Sequence, residues 1–477
     1  MSAEIVPVSR RAPRSSRPAR PLSLCINTQT PLVQFLDPPR GRTEAANGAG
    51  VDLAKLTEEL DYRFSPGGVT RMVLPLLRRL ERDGVIEPPH WVALSPTAPP
   101  TVRVGSVTLH HVAMDPSRLA EYGKAKEAIW GRLHELDAPV PQDDLFWSEA
   151  FAQYAYYNRA TAELILSLDR TLDFDAFYVH DFQQIAVGQM LGSLKPKIFR
   201  WHIPFDAELI PDHWQEILRT YLASYDVVVV SSRRYAEALR KFGHKGRISL
   251  MYPYVDAADY ASPSPAEADP VCAKFGLEPD DQVALVVGRM DPIKGQDVAI
   301  EGFSRVARRF PKLKLVLVGN GSFSGGRGGP GGGKADRWRA RLEQLARERG
   351  VTSRVILTGH VSQRELDSWY ARASCTILPS VREGFGLVVV ESWLHDRPAI
   401  VADRSGVAEL MQDGRDGLVF DPTDPEQLPH KLEQLLNGRS GRLRERLVAG
   451  GRRTAAKCSL AAAVDAEVRL LKEIVEV

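Results

Sequence analysis

Val283-Ala284-Leu285-Val286-Val287-Gly288-Arg289-Met290-Asp291-Pro292-Ile293-Lys294-Gly295 decides the fold of this 477-residue chain. Its first five residues are an apolar run of buried-strand length, and a helical pattern sets in beyond Gly295. The unit recurs downstream. Leu313 to Val318, Val355 to Thr358, Cys375 to Leu378, Ala399 to Ala402 and Gly417 to Phe420 are short apolar runs separated by mostly helical patterns. Such alternation implies right-handed crossovers and an α/β domain with a parallel, doubly wound sheet. Ligands collect at the carboxyl ends of strands in these sheets. Arg289 and Lys294 therefore stand where backbone N–H groups and a helix dipole favour an anion, and a diphosphate suits the place.

Upstream the signals are sparser. Leu22 to Asn27 suits a first buried strand, and Ser65-Pro66-Gly67-Gly68 is a turn that opens a helix with Val69, Met72, Val73, Leu76 and Leu77 at helical spacing. Val107 to Val112, Phe177 to His180, Ile198 to His202 and Asp226 to Ser231 read as strands, and Trp147 to Leu168 as an aromatic helix. The small, proline-bearing stretch Ala261 to Pro270 has linker composition. The division that follows is a basic, disordered tail over 1–21, a first Rossmann-like domain over 22–260, a linker over 261–270, a second Rossmann-like domain over 271–452, and a C-terminal helix over 453–477 able to pack back on the first domain. The glycine-rich run over 319–335 reads as a mobile loop, with a lid over the ligand as the alternative.

The second motif is Arg382-Glu383-Gly384-Phe385-Gly386-Leu387-Val388-Val389-Val390-Glu391. A glycine pair opening a helix puts Glu383 in the loop and Glu391 about two turns on, roughly 12 Å in rise, so the two carboxylates serve different parts of one ligand. The free N–H groups of Phe385, Gly386 and Leu387 can meet sugar or phosphate oxygens.

EGFGLVVVE together with GRMDPIKG resembles the nucleotide-sugar half of glycosyltransferase family 4 (group 1), over roughly residues 283 to 421. The resemblance implies a GT-B fold of two Rossmann-like domains facing a cleft, a nucleoside-diphosphate-sugar donor (UDP-, ADP- or GDP-hexose), retention at the anomeric carbon, and neither metal nor cofactor. Val179-His180-Asp181-Phe182 and His202-Ile203-Pro204-Phe205 resemble the HD and HIPF motifs of trehalose-phosphate synthases, and Tyr122, Trp130 and His134 stand in a stretch similar to that family's acceptor segment. By that likeness His202, Asp181 and Glu383 form the catalytic set. Gly67, Gly68, Arg289, Lys294, Phe385, Gly386, Leu387 and Glu391 hold the donor, and Tyr122 and Trp130 meet the acceptor. The expected reaction moves a hexose, glucose first, to a small sugar or sugar phosphate, with lipid or polysaccharide acceptors open.

Composition bounds the alternatives. Sixty-two basic against sixty acidic residues offer no bulk field for nucleic acid or an anionic membrane. No apolar run approaches the roughly 20 residues of a membrane span. The four cysteines lack metal-ligand spacing, which fits a reducing cytoplasm. A homodimer stays open. Asp173-Phe174-Asp175 has the form of a metal-binding D-x-D, but it precedes a strand at its amino end, the wrong end for a site, and reads as turn chemistry. A nucleotide-sugar epimerase on the same architecture would need no acceptor pocket, and a non-catalytic sensor would not need Glu383 and Glu391.

Overall fold

The computed structural model describes residues 20–36, 50–65, 68–134, 145–192, 195–260, 263–319, 333–437 and 441–475. Among the described residues the first domain contributes β1 (Leu24–Asn27), β2 (Val33–Phe35), β3 (Val51–Asp52), β4 (Tyr62–Phe64), β5 (His90–Leu94), β6 (Thr101–Val104), β7 (Val107–Val112), β8 (Ala176–His180), β9 (Lys197–Arg200), β10 (Val227–Val230) and β11 (Arg247–Leu250). Nine of these make one sheet, in the order β11-β10-β9-β8-β1-β5-β7-β6-β3, while β2 and β4 form an antiparallel pair. The nine-stranded sheet is parallel except where β6 meets β7. The second domain contributes β12 (Gln282–Val287), β13 (Leu313–Val318), β14 (Val355–Gly359), β15 (Cys375–Leu378), β16 (Ala399–Ala402) and β17 (Leu418–Phe420). They form a parallel sheet in the order β14-β13-β12-β15-β16-β17.

Helices cover both faces of each sheet, which is why strands such as β10, with Val227 to Val230 all buried, carry apolar side chains on both sides. The strand order turns back at β1 in the first sheet and at β12 in the second, the kind of place where a crevice opens beyond the carboxyl ends.

One boundary differs from the sequence reading. The segment over 261–270 is not wholly a linker, because Pro265–Ala273 is a helix. Glu267 accepts from the Ser264 amide at 2.9 Å and its hydroxyl at 2.8 Å, a capping box with proline in the first turn, and Ala268 and Cys272 are buried. The last helix, Leu460–Val475, packs on Gly68–Arg82 and places Leu460, Ala463, Val464, Leu470 and Leu471 in the first domain's core. The chain thus crosses from the second domain back to the first. All four cysteines are free and buried, and among the described residues no helix is long and apolar enough to cross a membrane.

Candidate functional site

The second domain's half is built on two interlocked loops. After β12, Asp291 caps the turn Pro292–Lys294 by accepting from the Ile293 amide at 3.2 Å, and Gly295 (φ 64°) starts the helix Gln296–Val306. A Cβ on Gly295 would stand 2.1 Å from the carbonyl oxygen of Pro379, so only glycine lets this loop pass against the end of β15. That approach brings Lys294 Nζ to 2.6 Å from Glu383 Oε2, which also accepts from the Ser380 hydroxyl at 3.1 Å. Burial pushes the Glu383 carboxyl up, but Lys294, Ser380 and the Arg289 charge outweigh it, and the group is held below its usual range. A lysine ammonium carries three N–H donors, so two of Lys294's remain beyond its bond to Glu383.

Gly386, with φ 105°, caps the helix Leu387–Leu394. The helix begins at Leu387 and not at the first glycine, so only the last part of the path from Glu383 to Glu391 is helical, and the separation inferred from two full turns does not apply. Glu391 is held by two tyrosines: Tyr260 donates to Oε1 at 3.1 Å and Tyr370 to Oε2 at 2.7 Å. The two glutamates belong to different networks.

Across the cleft, β8 and β9 deliver the first domain's half. Asp181 follows β8 with φ 70° and ψ 167°, a conformation costly for any residue with a Cβ. Its carboxyl accepts from the amides of Phe182 and His202, yet burial dominates and pushes it up to about 7; Oδ1 is buried without a partner. His180 Nδ1 and His202 Nε2 are 3.0 Å apart with their rings stacked. Burial drives both imidazoles well down from their ordinary value, with the nearby Arg200 cation adding to it.

The two halves touch at Gly384. A Cβ there would come within 2.7 Å of the His202 carbonyl oxygen. Ser231 Oγ donates to the Gly384 carbonyl at 3.5 Å and Tyr235 Oη to the Glu383 carbonyl at 3.0 Å. His134, which ends the helix Pro116–Leu133, faces the same charges: burial takes its imidazole down to about 4, and Lys294 and Arg289 push in the same direction. Two sheets' carboxyl ends, an ion pair and a cluster of neutral histidines therefore meet in one place.

Residues 271–454 match the model of the glycosyl transferases group 1 family, and residues 140–237 match the trehalose synthase N-terminal domain. The chain is a glycosyltransferase of the GT-B type. Among curated proteins the glycosyltransferase is 29% identical over 408 residues to a D-inositol 3-phosphate glycosyltransferase of Frankia alni, an alignment covering 80% of this chain and 89% of the relative. An E. coli structure described as trehalose-6-phosphate bound with UDP-2-fluoro glucose superposes with a TM-score of 0.73 at 16% identity, covering 95% of this chain and 99% of that one. Sucrose-phosphate synthase from Thermosynechococcus elongatus superposes with a TM-score of 0.66 at 18% identity, covering 95% and 98%. At such identities these likenesses establish the GT-B fold.

Not every residue singled out from the glycosyltransferase's sequence reaches the cleft. Tyr122 is 1% exposed and packs against Tyr154 and Tyr157 in the aromatic core, so it presents no surface to an acceptor. Trp130 is half-buried and stacks on His134 at 4.3 Å, which places it behind the histidine. Gly68 opens the helix Gly68–Arg82, while Gly67 and the glycine run over 320–332 lie outside the described residues. Asp175 forms a two-oxygen ion pair with Arg20, at 2.7 and 2.9 Å, and caps the Ser23 amide; Asp173 pairs with Lys195 in a left-handed helix cap. Both aspartates of the D-x-D are thus used structurally. Sequence reasoning assigned no role to Ser380, Tyr260 or Tyr370, and for His134 its signal was the acceptor-like segment shared with Tyr122 and Trp130.

Proposed function

We propose that the protein is a retaining, metal-independent hexosyltransferase that moves a hexose, glucose first, from a nucleoside-diphosphate sugar to a small sugar or sugar-phosphate acceptor. The observation that carries this reading is the closure at Gly384: it joins the Lys294–Glu383 pair to the His202 carbonyl in one cleft. The donor diphosphate lies over the helix start at Gly295 and the amides of Phe385, Gly386 and Leu387, with the helix start at Gly68 approaching from the first domain. Arg289 and Lys294 balance the charge that grows on the leaving phosphate. Glu383 and His202 hold the sugar, Glu391 with its two tyrosines meets the ribose, and Trp130 backs the acceptor side through His134.

Asp181 orients the acceptor hydroxyl, for which its unpartnered Oδ1 and raised affinity for a proton are suited. The bond from the anomeric carbon to the phosphate oxygen breaks while one to the acceptor oxygen forms on the same face. The acceptor's proton passes to the departing phosphate oxygen, and nucleoside diphosphate leaves. Domain closure limits hydrolysis of the donor. The relatives' names support a phosphorylated acceptor: D-inositol 3-phosphate stands in one, and trehalose 6-phosphate and sucrose phosphate, which carry the phosphate into the product, stand in others.

A donor-by-acceptor screen tests the proposal. UDP-, ADP- and GDP-hexoses are paired with glucose, glucose 6-phosphate and inositol 3-phosphate, with nucleoside-diphosphate release read in EDTA and the linkage assigned by NMR. Acceptor-dependent release that survives chelation and gives an α-linked product is expected. A β-linkage, loss of activity in EDTA, or a covalent glycosyl-enzyme would each overturn the corresponding part.

A further inference from the structure

Behind the histidine pair lies a buried charged group that the chemistry above does not use. Arg200, at the end of β9 and two residues before His202, is 2% exposed. Nη1 points at Met251 Sδ, 3.2 Å away, and the guanidinium lies 5.8 Å from the centre of the Tyr254 ring, so neither neighbour supplies an anion. Among the described residues the carboxyl group that faces it is Glu467, 1% exposed, carried by the last helix Leu460–Val475 and accepting from the Tyr178 hydroxyl at 3.3 Å. Tyr178, Arg200, His180 and Glu467 line a cavity of about 10 Å³, closed by apolar side chains such as Leu24 and Val73. Three buried atoms of these residues have no hydrogen-bond partner: Glu467 Oε1, Arg200 Nη2 and His180 Nε2.

Unpartnered buried polar atoms are costly, and three around one small space call for a common explanation. The volume is that of about one water. One water held there would accept from Arg200 Nη2 and from His180 Nε2–H and donate to Glu467 Oε1. With its proton on Nε2, His180 must accept at Nδ1, so the proton shared with His202 sits on His202 Nε2, and Nδ1 of His202 is left an acceptor.

We propose that Glu467 is a positioning residue: from the C-terminal helix it serves as counter-ion to Arg200 and, through the cavity they share with His180, fixes the tautomer of the His180–His202 pair. The crossing of the chain back to the first domain then completes the site and does more than cover apolar surface. The functional consequence rests on the reading of His202 as a donor contact; the tautomer claim does not.

The test uses the full-length protein with ¹⁵N-labelled histidine. Both rings of the wild type are expected to be protonated at Nε2. In Glu467→Gln, which keeps the volume and loses the charge, a second population protonated at Nδ1 on both rings is expected. The turnover number should fall ~10-fold with donor KM within about twofold, the pattern of a group acting through another. Should the amide variant fail to fold, the double variant Arg200→Met with Glu467→Leu removes both charges together, which buried pairs tolerate better than loss of one partner; the same spectral change is expected. Unchanged imidazole signals overturn the inference whatever the transfer rate. Changed signals with wild-type turnover uphold the network and instead remove His202 from the donor site.

Discussion

The two faces of the cleft are made of opposite material. The second domain presents fixed charge, Lys294 against Glu383 with Arg289 beside them, on loops that glycines allow to interlock. The first presents groups whose charged forms burial disfavours: His134, His180 and His202 with lowered proton affinity, and Asp181 raised to about 7. The contrast matches the two ends of the proposed reaction. A leaving diphosphate needs charge already in place, since preorganised dipoles and ions cost no rearrangement as negative charge develops. A hydroxyl acceptor needs directional partners and exclusion of water, which buried polar groups supply.

The sharpest way to break this contrast is to discharge the second face. Lys294→Ala is expected to lower kcat/KM for the donor by about 10³-fold, the order seen when a key electrostatic contact is lost, because it also strands Glu383. Steady-state donor turnover measures it, and a near-wild-type value would remove the charge from the mechanism. Gly384→Ala attacks the seam: with its new methyl 2.7 Å from the His202 carbonyl the faces must move apart, for a loss of about 10²-fold in kcat at nearly unchanged melting temperature.

Asp181 sharpens the first face. Its carboxyl must be ionised to accept the acceptor hydroxyl's hydrogen bond and orient it, so wild-type kcat/KM for the acceptor should rise as pH increases through about 7. Asp181→Asn should lower transfer by about 10-fold or more, remove that rise, and leave donor affinity unchanged in a binding titration. Stability gives the sign separately. A folded-state pKa raised above the unfolded one favours folding fully below about pH 4 and loses that contribution as pH rises through about 7. The Asn variant should therefore gain in relative melting temperature from pH 5 to pH 8.

The smallest effect is expected at the rim of the seam. Glu409, from the second domain, caps the first domain's helix Arg233–Lys241 by accepting from the Arg233 amide at 2.9 Å. The carboxylate is exposed and screened, so Glu409→Ala should cost under about 1 kcal/mol by denaturant melt and leave turnover within a few-fold.

The same contrast explains what could be read early. The second domain's half was legible because Gly288 to Gly295 and Arg382 to Glu391 are contiguous, and each motif carries its own strand end, glycine and charge. The first domain's half came from short motifs whose partners are remote: Asp181 is tied to the His202 amide, and His134 meets Lys294 from a helix more than a hundred residues away in sequence. Tyr122 was ambiguous for a related reason. An aromatic residue in an amphipathic helix can face core or cleft, and only its stacking on Tyr157 decides for the core. The helix Pro265–Ala273 was missed although Ser264-Pro265-Ala266-Glu267 spells a capping box, because proline and small residues were weighed as linker composition.

Sequence by itself determined the parallel second sheet, the strand end that carries Arg289 and Lys294, and the glutamate-bearing loop, since apolar period, glycine placement and charge act over a few residues. Tertiary structure decided which first-domain groups meet that loop, that Glu391 is held by Tyr260 and Tyr370, and that Glu467 returns from the last helix to Arg200. Those pairings join residues 21 to 267 positions apart, and no local pattern encodes a contact that exists only once both sheets have packed.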